Sequence, residues 1–546
     1  MKTFLLCVGL IVMHVAVLAE TITLSGSVKD KTTLAPIDSA RVEIVNGSNP
    51  SERYSVITNS IGAWSYTFDM TGVQGDPGVP SAFAVEQNYP NPFNPSTKIN
   101  FSTERAGDVL FSVYTSIGQL LDAKTYSVAA GNHTIDWLSK GAAGVLFYSV
   151  EFGGSRITRR MVQLDGHGNG GLGGLVTYGG RATISSRQKA AATSYAIIAT
   201  KLIYMPDTVT TLLSGSTVID FSLETVHSRA FVMDLHNDVM EIAVNGGYDL
   251  GVRHTYNDSD LPRFHDGGFD AQMFALWTDV TDSVAHPCYA YTLEMADSFK
   301  SQVSRNASSF TQARSYDELM QANASGKFAG VLAVEGGHSI ENSLDKLKTF
   351  YGLGARYLTI TWNNSTSWAV SAADSKSSTV GLSDFGRQVI RTMDSLGMII
   401  DVAHTGIQTI WDILSTTKNP IIDTHAGVRA LNNNTRDLTD AQIDSIAARG
   451  GVIGVVFYPP FLSSKGKATI DTVIKHIDYI KNRVGIDYVA IGSDWDGIGS
   501  TKVVGLEDVS KLPNLTAALL RHGYSIPDVM KILGGNYLRV FKQIVR

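Results

Sequence analysis

Cysteine is nearly absent: the 546 residues contain only Cys7 and Cys288. With Cys7 inside an N-terminal segment expected to be removed, no internal disulfide and no thiolate metal site can form. The protein must be held by core packing or by metal bound through other donors. Cys288 alone reads as a small buried hydrophobe, not a nucleophile. Charge is also scarce and almost balanced, with 45 Lys+Arg against 51 Asp+Glu, a net −6, and 18% charged residues in total. This leaves no basic face for nucleic acid, and 44% hydrophobic residues exclude a disordered chain. Beyond residue 19 no apolar run reaches the roughly 18 residues of a spanning helix.

Residues 1–19 combine Lys2, an apolar run over 4–17 and Ala19 ahead of Glu20, the anatomy of a cleaved secretory signal. The mature chain is expected to begin near Glu20, with no cysteine at the cleavage point to carry a lipid. The final Phe541-Lys-Gln-Ile-Val-Arg546 offers no hydrophobic anchor signal. The expectation is a soluble protein exported by a bacterial-type route to the periplasm, cell surface or medium. No membrane anchor and no nucleic-acid partner are expected.

At roughly 100 to 200 residues per domain the length predicts about three domains. Short β-rich runs at 22–24, 40–45, 54–58 and 63–68 alternate with turn residues, as antiparallel sandwich strands do. The same style resumes at 195–203 and 217–223. Between them, 82–163 has its own turn-rich opening and strands at 98–101, 109–115 and 145–152. Gly-rich stretches at 72–78 and 166–174 bound this unit, and the second reads as a flexible linker. The outer blocks resemble the halves of a carboxypeptidase regulatory-like sandwich, through Ser25-Gly26-Ser27-Val28, Tyr204, Asp207-Thr208-Val209 and Ile219-Asp-Phe-Ser-Leu223. The unit between resembles the sorting-type Ig-like domain of bacterial secreted enzymes, through Asn88-Tyr-Pro-Asn-Pro-Phe-Asn-Pro95, Val113-Tyr114 with Gly118, and Gly144-Val145 with Tyr148. Here that unit is internal. The expected division is a signal at 1–19, a split sandwich at 20–73 and 190–225, an inserted β-domain at 80–165, a linker at 166–189 and a catalytic block at 228–546. Two independent sandwiches with a spacer are the alternative.

After His227 eight apolar runs, at 230–235, 271–276, 330–334, 357–361, 398–403, 420–424, 452–457 and 488–493, alternate with helix-compatible segments. Near-continuous apolar character suits strands buried on both faces, and eight of them predict an α/β fold, a (β/α)8 TIM-type barrel, behind N-terminal all-β sandwich domains. Reacting groups in such barrels sit at the C-terminal strand ends. Five of the eight ends carry His or carboxylate: Asp234-Leu-His236-Asn-Asp238, Glu335-Gly-Gly-His338, Asp401-Val-Ala-His404, Asp423-Thr-His425 and Ser493-Asp494-Trp-Asp496.

An extended His-x-Asp puts both side chains on one side of a strand, so His236 and Asp238 can grip one cation. Imidazole with carboxylate favours a divalent ion such as zinc. Three histidines and two or three carboxylates exceed the needs of one tetrahedral ion, so two ions roughly 3.5 to 4 Å apart, with Glu335 as the natural bridge, account for the set better. His338 reads either as support for Glu335 or as a loop cap. His254, His265, His286, His476 and His522 lack such placement and read as surface or helix residues.

These residues resemble the membrane dipeptidase (renal dipeptidase-like) family of metal-dependent hydrolase barrels, over about 232–545. The likeness includes Asp234-Leu-His-Asn-Asp238, Val334-Glu-Gly-Gly-His-Ser339, Gly354-Ala-Arg-Tyr-Leu-Thr359, Gly381-Leu-Ser-Asp-Phe-Gly386, Asp401-Val-Ala-His404, Gly492-Ser-Asp-Trp-Asp-Gly497 and Gly505-Leu-Glu-Asp-Val509. The resemblance implies two Zn2+ per catalytic domain, one held by His236, Asp238 and Glu335 and the other by Glu335, His404 and His425. It also implies a substrate-binding Arg436, a catalytic and substrate-contacting Asp494, and hydrolysis of dipeptides, including those with a C-terminal D-residue. Where mammalian members carry a substrate-contacting His, this chain has Thr361-Trp362-Asn363, so Trp362 would meet substrate without donating a proton. Expected partners are a dipeptide substrate, a second copy in a homodimer, and the cell surface or export machinery through the β-domains. The competing readings are a related barrel hydrolase of N-acyl amino acids or lactones, though most of those open with His-x-His, and a non-catalytic surface-binding protein.

Overall fold

Every second side chain along Ser194–Thr200 is buried (Tyr195, Ile197, Ala199), the period of a strand with one face on a core. The structure, a computed structural model, describes residues 21–69, 83–89, 91–116, 118–164, 169–178, 194–213, 215–282 and 287–545. The expected signal at 1–19, the Gly-rich stretch 72–78 and His286 lie outside the described residues. The chain divides into two compact units, one built on 67–192 and the other on 23–66 with 193–546.

In the second unit, Ser194–Thr200 pairs antiparallel with Arg41–Asn46, Ile197 opposite Ile44. Thr21–Asp30 pairs parallel with Phe221–Leu223, Val28 opposite Phe221. Strands from the two outer blocks thus share sheets. Trp64 and Phe221 meet in their core with ring centroids 6.4 Å apart. The linking helix Val226–Arg229 is capped by Thr225, whose hydroxyl accepts from Ser228 N–H. Ile203 and Met205 pack against the main barrel core.

The other unit is two four-stranded antiparallel sheets around Phe93, Phe111, Trp137, Tyr148 and Met161. One correction to the sequence reading falls here. The Gly-rich stretch expected to be linker contains the strand Asn169–Tyr178, paired with Gly131–Lys140 so that Leu172 lies opposite Trp137. Its glycines serve close approach: a Cβ on Gly170 would lie 2.6 Å from Leu138 Cβ, and one on Gly171 2.3 Å from an Asp122 oxygen. Composition registers glycine as freedom, whereas here the missing Cβ lets two backbones meet. The rest of the expected linker, 165–168 and 179–189, lies outside the described residues.

The barrel strands are β1 Met233–Asn237, β2 Ala271–Trp277, β3 Phe328–Glu335, β4 Ala355–Thr359, β5 Ile399–Asp401, β6 Ile421–Ala426, β7 Val452–Val455 and β8 Val489–Ile491. All pair in parallel and in chain order. A bridge between Asn237 and Trp495, with Asp238 N–H donating to Trp495 O at 3.0 Å, brings the last segment back to the first. Both faces are buried, as the apolar runs predicted: along β3, Val331 and Ala333 join one core cluster while Leu332 and Val334 join another. Tyr537, Val540 and Phe541 of the helix Asn536–Ile544 pack into the cluster that holds Val331. β5 and β8 are shorter than their apolar runs. Just beyond them the chain leaves the ladder, with positive φ at His404 (60°) and Asp494 (64°), and those turns aim polar side chains over the barrel mouth. A short strand, Phe310–Gln312, pairs with β3 and was not foreseen. Among the described residues no helix is long and apolar enough to cross a membrane.

Candidate metal centre

All six expected metal and catalytic side chains converge. His236, near the end of β1, places Nε2 3.3 Å from Asp238 Oδ2 and 3.4 Å from Glu335 Oε2. The other Glu335 oxygen, Oε1, faces His404 Nε2 at 3.1 Å and His425 Nε2 at 3.6 Å. Those two imidazole nitrogens are 3.0 Å apart. Asp494 Oδ1 stands 4.0 Å from His236 Nε2. Two overlapping groups, His236–Glu335–His425 and His236–Asp238–Asp494, have ligand atoms all within 4.8 Å of one another. Gly497 is what permits this crowding: a Cβ there would lie 2.2 Å from Asp238 Oδ2 and 2.6 Å from Asp494 Oδ1.

The electrostatics of this cluster are unbalanced. Burial alone would raise the Glu335 carboxyl, but the positive charge of His236 beside it holds it well below the usual range. Burial, and then the negative charge of Asp238, push Asp494 well above it. Burial, then the nearby Arg436 cation, take His404 down to about 4. His236 Nε2 and Asp238 Oδ1 are buried without a hydrogen-bond partner among the described residues. Buried polar atoms are normally paired, so lone pairs left aimed at one another are the signature of a cation site. Imidazole nitrogens and carboxylate oxygens without thiolate fit a divalent ion of the zinc class.

Arg436 is buried, with Nη2 donating to His425 O at 3.3 Å, its guanidinium 5.3 Å from the centre of the Phe461 ring, and Nε without a partner among the described residues. Trp362 lies with its ring centroid 6.2 Å from that of His404 and 4.9 Å from that of Trp277. Other strand-end carboxylates do not join the ligand set. Asp234 accepts from Ser493 N–H, Ser493 Oγ and Gln272 Nε2, while Asp401 accepts from Thr359 and Thr424. Asp423 is pushed up to about 7 by burial and then by the charge of Asp401. His338 turns aside to the Thr278 carbonyl, 2.9 Å away. His476 is a buried helix residue bonded to Val428 N–H and Leu462 O, and His522 pairs with Asp478 at the surface.

Sequence reasoning missed the groups behind the imidazoles. Tyr357 OH stands 2.8 Å from His236 Nδ1, Asn363 Oδ1 3.0 Å from His404 Nδ1, and Thr424 Oγ1 2.9 Å from His425 Nδ1. Thr424 was marked only by adjacency to a strand-end histidine, and Tyr357 only as part of the Gly354–Thr359 motif; nothing in the chain linked it to His236, 121 residues away.

Barrel, strand-end placement and donor set define a metal-dependent hydrolase. Residues 222–546 match the family described as membrane dipeptidase (peptidase family M19), and residues 87–163 match the secretion system C-terminal sorting domain. A dipeptidase of Claviceps purpurea, tcpJ, is 32% identical over 327 residues, covering 57% of this chain and 76% of that protein. Human dipeptidase 3 is 31% identical over 326 residues, covering 58% of this chain and 66% of that protein. Among solved structures, a metallopeptidase of Rhodobacter sphaeroides with a phosphinate mimic of the dipeptide L-Ala-D-Ala has a TM-score of 0.54 and 26% identity, covering 58% of this chain and 99% of that one. A second, the M19 dipeptidase AC, has a TM-score of 0.54 and 27% identity, covering 58% and 99%. The chain belongs to the membrane dipeptidase family, M19, and is a metallo-dipeptidase. Its sorting domain marks it as a secreted or cell-surface protein.

Proposed function

We propose that this chain is an exported binuclear zinc dipeptidase, acting on dipeptides that include those with a C-terminal D-residue. The observation that carries this reading is Glu335, whose two oxygens face two different imidazole groups, His236 on one side and His404 with His425 on the other. His236, Asp238 and Glu335 would hold one ion, and Glu335, His404 and His425 the other. When bound, such ions acidify water from about 15.7 towards roughly 7 and polarise a carbonyl.

The chain's own residues supply the rest. Arg436 presents a planar fork suited to the free α-carboxylate of a dipeptide; a longer peptide would place an uncharged amide there. Water attacks the peptide carbonyl carbon, and Asp494 takes its proton. Asp494 then passes that proton to the amide nitrogen as the C–N bond breaks, releasing two amino acids. Trp362, against Trp277, offers an aromatic wall to a substrate side chain. The phosphinate mimic of L-Ala-D-Ala bound by the Rhodobacter protein supports the D-residue reading. Pairing of Arg41–Asn46 with Ser194–Thr200 supports a sandwich at 20–73 and 190–225 split by an insertion, which here extends beyond residue 165 to the strand Asn169–Tyr178.

Chelation should abolish hydrolysis of L,L and L,D dipeptides, and two equivalents of zinc should restore it. Activity that survives chelation, or that falls on N-acyl amino acids or lactones but not dipeptides, would overturn the reading. Arg436→Gln should raise KM for dipeptides roughly 10- to 100-fold, since a charge-assisted hydrogen bond contributes about 1.5–3 kcal/mol. The variant should also lose the wild-type preference for dipeptides over their C-terminal amides. Equal KM in both proteins would remove Arg436 from the site.

A further inference from the structure

Asp401 closes β5 fully buried and takes four donors. Its Oδ2 accepts from Thr359 Oγ1 at 2.5 Å and Thr424 Oγ1 at 2.8 Å. Its Oδ1 accepts from the N–H groups of Ala403 at 3.1 Å and Thr424 at 2.9 Å. One carboxylate therefore ties the ends of β4, β5 and β6. A hydroxyl has a single proton. With that of Thr424 given to Asp401, Thr424 Oγ1 can only accept from His425 Nδ1, 2.9 Å away. Nδ1 must then carry the hydrogen, and Nε2 is left as a bare lone pair facing Glu335 and His404 Nε2. The opposite tautomer would need the hydroxyl to turn from a carboxylate to a neutral ring, giving up a charge-assisted bond roughly twice as strong as a neutral one.

The same logic holds on β1 by a different device. Tyr357 OH donates to Leu235 O at 3.1 Å and so can only accept from His236 Nδ1. Thr359 makes a useful contrast, since it donates to the same Asp401 oxygen but has no hydrogen bond to a histidine among the described residues.

We propose that Thr424, its hydroxyl turned by Asp401, is a positioning residue that fixes the tautomer and orientation of His425 for metal binding. The inference rests on the binuclear reading above. Thr424→Val keeps the shape and removes the relay, Thr424→Ser keeps the hydroxyl, and Thr359→Val removes a bond to Asp401 without touching a histidine. Zinc affinity of the metal-stripped proteins is measured by competition with a chromophoric chelator, alongside thermal melts. Loss of a hydrogen-bonded partner of a ligating histidine typically costs roughly 10- to 100-fold in metal affinity. Thr424→Val should lose that much at one of the two zinc equivalents only, Thr424→Ser should restore it, and Thr359→Val should keep wild-type affinity even where its melting temperature falls. Wild-type affinity in Thr424→Val, or an equal loss in Thr359→Val, would overturn the proposal. Should Thr424→Val not fold, the imidazole 15N shifts of the metal-free wild-type protein decide: an Nδ1–H His425 supports the relay and an Nε2–H one overturns it. That measurement also separates the two readings, because wild-type protein that binds no zinc would sink the binuclear centre while the tautomer is still read directly.

Discussion

Glu335→Ala should reduce dipeptide turnover by on the order of 10^3-fold or more and lower the zinc content, without unfolding the β-sandwich or the barrel. Lewis-acid stabilisation by a bound ion contributes several kcal/mol to the transition state, and about 1.4 kcal/mol is tenfold in rate. The effect is large because one side chain serves both ligand groups: Oε2 lies 3.4 Å from His236 and Oε1 3.1 Å from His404. No neighbour can substitute, since Asp238 and Asp494 both lie on the His236 side. Glu335→Asp tests the span separately. One methylene shorter, it should reach only one group and retain close to one zinc per chain. Substantial turnover with two zinc ions in Glu335→Ala would show that the carboxylate does not bridge.

Asp494→Asn should lower kcat by roughly 10²- to 10⁴-fold, the range for loss of a positioned general acid–base group, a larger effect than any change in KM. Asparagine fills the same space beside Gly497 and His236 but cannot take a proton. The pH dependence gives a second readout. A carboxylate must be ionised to act as a base, so wild-type activity falls as pH drops through the Asp494 pKa of the metal-loaded enzyme. The variant should lack this acid limb. An Asp494→Asn protein with wild-type kcat, or with the same acid limb, would assign the proton transfer elsewhere.

Much of this was legible in the chain because the relevant signals are local. A strand buried on both faces must be apolar at nearly every position, so the eight runs stand out without any partner being known. His236 and Asp238 read as a pair because period two fixes a common side; the structure does bring them 3.3 Å apart, although Asp238 lies just past the strand end as the cap of the next helix. Glycine misled in one place. In 169–178 its frequency resembled slack, but the strand there needs the absent side chains to lie against Leu138 and Asp122.

Burial and strand period act on neighbours in the chain, so a parallel barrel with imidazoles and carboxylates at its strand ends is readable from the residues alone. Which acids face imidazoles, and which are absorbed by hydroxyls, depends on how the strands pack in space. Asp238 and Asp401 are the same residue at similar strand ends, yet one faces His236 and Glu335 while the other is saturated by Thr359, Thr424 and two backbone amides. The difference lies in what adjacent strands bring alongside. Hydrogen bonding is satisfied in space, between β4, β5 and β6, and spacing along one strand carries no record of it.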